Sequence, residues 1–325
     1  MGNTTPTERE SNGENMGTTT PTERESGPSL ADELRAVFDR YRGWLSVDIA
    51  ASPTRPDPDL SALIAEPFTD VDDVYDRLVA AETHLRGRDD RRAVFLTVYA
   101  AMTARVRAGL EGDSFDDPAW VRRYLVTFAE YYREVLVAFE RGERVPPAWR
   151  VAFGASLGGE TLVVQDALLG INAHIVNDLT FALDHVGVGT GEERERRHRD
   201  HLTINAVLKS LADVIQTTLA EVYAAAGLEA ADELLGRFDE RATLVGLRAA
   251  RAFAWENAVS LTDWPRLAPL VRWRVRTVSA GAAYALLAPG LDRTVQAELA
   301  DIERGEPVLA ALSDALHHDD TRPPA

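Results

Sequence analysis

The sequence predicts an all-α protein, and three observations carry that prediction. Apolar residues recur at three- and four-residue spacing along most of the chain, the mark of helices that bury one face. Proline and glycine gather between these periodic runs, where they cap or break helices. No segment shows sustained period-two alternation with β-branched enrichment, so strands are not expected. The reading is a single multi-helix, bundle-like domain over residues 28–290, built around a central long antiparallel helix hairpin and followed by an acidic helical or flexible tail at 291–325.

The elements follow in order. Residues 1–11 (MGNTTPTERES) recur almost verbatim as 16–26 (MGTTTPTERES), so Met1 and Met16 are alternative starts. Polar and without apolar spacing, residues 1–27 are expected to be disordered. Ser29 suits an N-cap for a helix bearing Leu30, Leu34, Val37, Phe38 and Tyr41. Ser52 to Pro58 (SPTRPDP) reads as a proline-rich loop. Thr69, followed by Asp72, opens a helix through Val71, Val74, Tyr75 and Leu78. Another runs from Arg91 to Leu110 and stops near Gly112. Asp117-Pro118 starts the next, since proline fits the first helical turn; it carries Trp120, Tyr124, Phe128, Tyr131, Val135 and Phe139. Pro146-Pro147 then interrupts the chain before a glycine-containing connector, Gly154 to Gly159. Two long helices, Thr161–Val186 and Glu192–Ala226, flank the turn "GVGTG", and two more occupy 230–261 and 266–288.

Composition narrows the function. Apolar residues make up 45% of the 325-residue chain and charged residues 27%, ordinary values for a globular protein. Acidic residues number 52 against 35 basic ones, a net charge of −17, and lysine occurs only at Lys209. Such an acidic, lysine-poor chain resembles halophilic proteins, although a GC-rich genome also favours arginine. Its field repels nucleic acid and anionic membranes at low salt, so neither is an expected partner. With no cysteine, any metal must be held by nitrogen and oxygen ligands. No apolar signal core opens the chain, and its longest apolar run, Val278 to Ala288, is too short to span a bilayer. The expected location is the cytoplasm.

The chemistry-bearing residues interrupt the two long helices. His174 and Asp178 lie one turn apart on one face, with Asn177 on its flank, and His201 and Asn205 have the same relation on the next helix. A short turn implies an antiparallel hairpin. Counting from Val186 and Glu192, Asp178 falls level with His201, and His174 with Asn205, each pair to within roughly 2 Å at about 1.5 Å per residue. Helices packed in that register bring His174, Asp178, His201 and Asn205 to one spot, with His198 at its edge. The bland alternative is a closed polar network that fixes the helix register and takes no ligand.

Other constellations carry less. Glu195-x-x-His198 has the spacing of a di-iron ligand pair, but it stands alone in the charged run "GEERERRHRDH" and reads as a solvated helix start. His84, His317 and His318 read as surface residues. "GASLGGE" (Gly154 to Glu160) has no phosphate-loop lysine, and Ser156 lacks a nucleophile-elbow context. In "RAFAWENAV", Arg251, Trp255 and Glu256 suggest ion pairing and aromatic packing.

The run "GINAHIVNDLTFAL" (Gly170 to Leu183) resembles the core motif of an uncharacterised helical family, a domain of unknown function found in actinobacteria and haloarchaea, and the helix pattern from Leu30 to Leu287 is compatible with it. The same run more faintly resembles zinc-dependent phospholipase C and P1-type nucleases. In that likeness His174 and Asp178 match the first two metal ligands and Leu183 a leucine of the motif. Phe181, Ala182 and Asp184 depart from it, and Asn205 replaces a carboxylate in the second His-x-x-x-Asp/Glu. The departures remove the basis for a trinuclear zinc cluster and leave one zinc-like divalent metal, or none.

Two functions are therefore expected in competition. A metal-dependent hydrolase would hold its cation on His174, Asp178 and His201, with Asn205 as a weak ligand or substrate donor, and activate a water there. Glu160, Asp166 or Asp184 would supply the base for a small-molecule substrate. The alternative is a non-catalytic helical binding or scaffolding protein in which the same residues form a core network.

Overall fold

A computed structural model describes residues 55–225, 240–287, 293–305 and 307–319, with isolated positions at 1, 2, 49, 52 and 53. Contacts group the chain into two compact units, Met1–Arg42 and Gly43–Ala325, and every element below belongs to the second. The expected disorder of residues 1–27 and the helix expected from Ser29 fall, apart from the first two positions, outside the described residues.

The described residues are all-α. In order they form α1 (Pro58–Leu63), α2 (Val71–Arg86), α3 (Ala93–Glu111), α4 (Pro118–Glu140), α5 (Pro147–Gly158), α6 (Val163–Asn172), a π-helical segment (Ala173–Asp178), α7 (Leu179–Val186), α8 (Gly191–Ala225), α9 (Glu240–Asp263), a 3-10 turn (Pro265–Leu267), α10 (Ala268–Leu287), α11 (Arg293–Gly305) and α12 (Val308–Asp319). Caps set several starts. The Asp57 side chain accepts from the amides of Asp59 and Leu60, and that of Asp117 accepts from Trp120 at 3.0 Å. Asp70, rather than Thr69, caps α2 by accepting from the Asp73 amide at 2.9 Å.

Two segments depart from the sequence reading. The expected connector at Gly154 to Gly159 is mostly helix: Pro147 occupies the first turn of α5, and Ala148, Trp149, Val151, Ala152 and Phe153 are buried. Small residues let this helix pack closely, which is why it lacks an amphipathic stripe. The second departure concerns the hairpin. The turn itself forms as its glycines require, with positive φ at Gly187 and Gly189, and Trp120 Nε1 donates to the Gly187 carbonyl at 2.9 Å. The helices on either side do not pack along each other. α7 rests on α4 and α9, whereas α8 rests on α3, α9 and α12. α9 packs against both and takes the place that a simple hairpin would give to its own partner strand of helix.

The π segment is buried along its whole length and packed by α4, α5, α9 and α10. The C-terminal helices are part of the core as well. Leu299, Val308, Leu312 and Leu316 are buried with Leu211, Leu219 and Tyr223 of α8. Glu303 of α11 accepts from the first amide of α6, Val163, at 3.0 Å and from the Tyr223 hydroxyl at 2.6 Å. α3 is long and apolar enough to cross a membrane, but 67% of its apolar window is buried inside the protein, as befits a core helix.

Candidate functional site

The site begins with a backbone irregularity. At the end of the segment the Leu179 amide bonds to the His174 carbonyl five residues back, the wide π turn that often marks functional positions in helices. Gly170 precedes it. A Cβ there would sit 2.5 Å from Phe95 ring atoms, so only glycine lets α6 approach α3 this closely.

The wide turn still brings His174 over Asp178: Nδ1 lies 2.9 Å from Asp178 Oδ2. The same oxygen accepts from Trp149 Nε1 at 2.8 Å, and Oδ1 accepts from Asn177 Nδ2 at 2.8 Å. His174 and Asp178 are fully buried. The imidazole is stacked on Phe128, centroids 3.6 Å apart and planes 7° apart, and meets the Tyr99 ring nearly edge-on at 4.7 Å. Burial holds its pKa below the ordinary histidine value, and the Asp178 contact only partly offsets that. A neutral imidazole facing a carboxylate through Nδ1 donates its one proton there. Nε2 then carries the lone pair, and it finds no hydrogen-bond partner among the described residues.

His174 is also one of the residues lining a partly open cavity of about 590 Å³, whose walls come mainly from α3, α6, α8, α9 and α10. Its walls are almost wholly apolar, including Phe95, Met102, Leu211, Leu219 and Ala250, and His174 and Tyr99 line it. The Tyr99 hydroxyl also lacks a partner among the described residues. Burial, with Asp178 nearby, raises its pKa well above the ordinary phenol value, so it stays a donor.

The second expected pair is engaged elsewhere. Arg251 Nε donates to Asn205 Oδ1 at 2.8 Å, and its Nη2 reaches His201 Nδ1 at 3.2 Å and the His201 carbonyl. His201 Nε2 lies 3.3 Å from the Arg251 carbonyl and Nδ1 3.4 Å from the Tyr124 hydroxyl. Burial, with the Arg251 charge next, pushes the His201 pKa well below the usual value. The four expected residues thus form two pairs rather than one cluster. Between them stand Phe128 and Tyr124, rings 6.2 Å apart, with Tyr124 6.2 Å from the His201 ring. Convergence requires α7 to pack along α8, but α9, which carries Arg251, packs against both.

Among the described residues, the one group of three His, Asp or Glu side chains with ligand atoms within 4.8 Å of one another is Asp57, Asp59 and His84. Those groups are already matched. Asp57 caps α1 and bonds His84 Nε2 at 2.8 Å, and Arg88 lies 3.5 Å from Asp57 and 3.3 Å from Asp59. Of the suggested bases, Asp166 is committed to Arg91 at 2.7 Å, Thr161 at 2.6 Å and Ser156 at 3.0 Å, while Glu160 is exposed and Asp184 half-buried. Glu195 is exposed and His198 stacks on Trp255 at 4.7 Å.

Sequence reasoning missed Trp149, Phe128's role as the stacking partner, and Tyr99. Trp149 sits between the Pro146-Pro147 break and the expected connector, in a stretch to which no helix was assigned. Tyr99 and Phe128 fall on ordinary apolar stripes, where nothing distinguishes a cavity wall from solid core. A family model described as a family of unknown function, DUF5995, matches residues 71–289, a span that contains the π segment and the helices that line the cavity. No curated protein and no solved structure matches the chain.

Proposed function

This chain belongs to DUF5995, a family of unknown function, and we propose that it binds a small, largely apolar molecule in the cavity, with one hydrogen-bonding group of that molecule held on Nε2 of His174. One observation carries the reading: His174, whose buried Nε2 has no protein hydrogen-bond partner among the described residues, is one of the residues lining an apolar cavity. Leaving such an acceptor unpaired costs about 1–3 kcal/mol, which a ligand donor recovers. At about 590 Å³ the cavity falls within the roughly 300–1,000 Å³ of ordinary small-molecule sites. Tyr99 would supply a donor beside the His174 acceptor. A hydroxyl group, which both donates and accepts, matches the two together.

The experiment is calorimetric titration with medium-chain primary alcohols and with alkanes of equal length. Saturable binding of the alcohols, weaker binding of the alkanes and loss of both in Leu211→Trp, which fills the cavity, support the reading. Equal binding to wild type and to Leu211→Trp contradicts it.

A catalytic version follows from the Asp178–His174 pair, since an imidazole oriented by a carboxylate can accept a proton from a bound hydroxyl. It predicts turnover that Asp178→Asn abolishes while binding survives. A metal-dependent hydrolase has less support, because His201 and Asn205 give their acceptors to Arg251 and a guanidinium beside them repels a second cation.

A further inference from the structure

Away from the cavity, the surface where α9 turns into α10 gathers most of the large exposed apolar side chains among the described residues. From Trp264 to Leu291 the sequence contains no Asp or Glu but four arginines, Arg266, Arg272, Arg274 and Arg276, in a chain whose net charge is −17. All four arginines are exposed. Large apolar side chains are exposed among them: Trp264 at 66%, Trp273 at 63%, Leu270 at 58%, Leu267 at 47% and Val278 at 44%. The nearest acid on the amino-terminal side, Asp263, is held by Arg194 at 2.6 Å.

The helix explains how both kinds of residue reach solvent. Val271, Val275, Ser279, Ala283 and Leu287 form the buried stripe of α10. Leu270, Trp273 and Arg274 lie on the opposite side, with Val278 at its edge. Arg272 and Arg274 keep their guanidinium groups over the Phe181 and Phe253 rings, at 5.7 and 4.8 Å. Those cation–π contacts hold positive charge at the base of the patch.

We infer that this face docks on the surface of an anionic lipid bilayer. Charge complementarity selects the partner: a stretch with four exposed arginines and no acid of its own, its Arg272 near the half-buried Asp184, faces outward from an otherwise acidic chain. Trp side chains prefer the bilayer interface, where the indole is half in hydrocarbon and half in water. Exposed Trp and Leu beside arginine is the composition of helices that lie in that interface. The net charge of −17 opposes approach at long range, but within a Debye length the local field decides. The inference is independent of the cavity, although α10 also contributes Ala282, Ala285 and Leu286 to its lining.

The test is co-sedimentation of the full chain with phosphatidylcholine vesicles, with and without phosphatidylglycerol, together with tryptophan emission. The expected result is binding only to vesicles containing phosphatidylglycerol, weakened by salt, with a blue shift in emission. Arg266→Glu combined with Arg276→Glu should reduce partitioning about tenfold or more. Trp264→Phe combined with Trp273→Phe should remove the blue shift, circular dichroism being unchanged because these side chains are exposed. No binding to anionic vesicles overturns the inference, as does binding that the arginine substitutions leave unaltered. A dimer in light scattering that Trp273→Ala dissolves, with no vesicle binding, also overturns it and assigns the face to a second copy of the chain.

Discussion

His174 is held by neighbours on every side that matter for its protonation. Phe128 stacks on it at 3.6 Å, Asp178 fixes Nδ1 at 2.9 Å, and burial keeps it neutral. Its folded pKa is depressed, so as pH falls the unfolded chain takes up the proton first. The associated stability is fully present above the ordinary value of 6.5 and is lost as pH drops below it. His201 acts in the same direction, while the buried carboxylates Asp166 and Glu303, with raised pKa values, act in the opposite one. The clean measurement is therefore a difference. The melting-temperature gap between wild type and His174→Asn should narrow as pH is lowered from about 7.5 to about 5.5, and a constant gap counts against a buried neutral imidazole. Trp149→Phe removes one donor to Asp178 and should cost about 1–3 kcal/mol in denaturant unfolding; an unchanged midpoint would mean that this hydrogen bond carries no weight. The His174–Asp178 pair was legible in the sequence because residues four apart meet on a helix. Trp149 was not, because its partner lies on another helix and no local pattern records that contact.

At the scale of elements, helix positions were largely readable because caps and prolines mark them. α4 begins at Pro118 after its Asp117 cap, and α10 spans Ala268–Leu287, close to the 266–288 that periodicity indicates. The π segment at Ala173–Asp178 was not readable, since a local widening leaves the apolar spacing nearly intact. The partner of α7 was equally hidden. A glycine turn shows that the chain reverses, not which helix fills the space beside it, and here α9 fills it from later in the sequence. Gly170 is the position where the site depends most on close packing. Gly170→Ala places a methyl group 2.5 Å from the Phe95 ring, and overpacking of that kind costs about 1–3 kcal/mol. Chemical unfolding of the variant should show that loss, together with weaker ligand binding as Phe95 is pushed into the cavity wall. Full stability in Gly170→Ala would show that α3 and α6 are free to separate.

Over the whole molecule, charge and core pull in different directions. A net charge of −17 repels itself in dilute buffer, and salt screens that repulsion. The melting temperature should rise from dilute buffer to molar KCl, and a flat or falling curve would contradict an acidic surface that limits stability. Overall charge was plain from composition, whereas the arginine patch on α10 appears only when exposure is known. The C-terminal helices show the same limit. Their acidity suggested a tail, yet Leu299, Leu312 and Leu316 are buried and Glu303 caps α6, because short helices can bury three or four leucines and still carry many charges.

If Nε2 of His174 accepts from a ligand hydroxyl, as proposed, nitrogen NMR of the labelled imidazole observes that atom directly. During titration with a medium-chain alcohol, the His174 spectrum should show a protonated Nδ1 throughout and a saturable shift at Nε2 as the ligand hydroxyl bonds to it. A proton resident on Nε2 in the free protein, or alcohol binding that leaves the Nε2 resonance unmoved, would contradict the account.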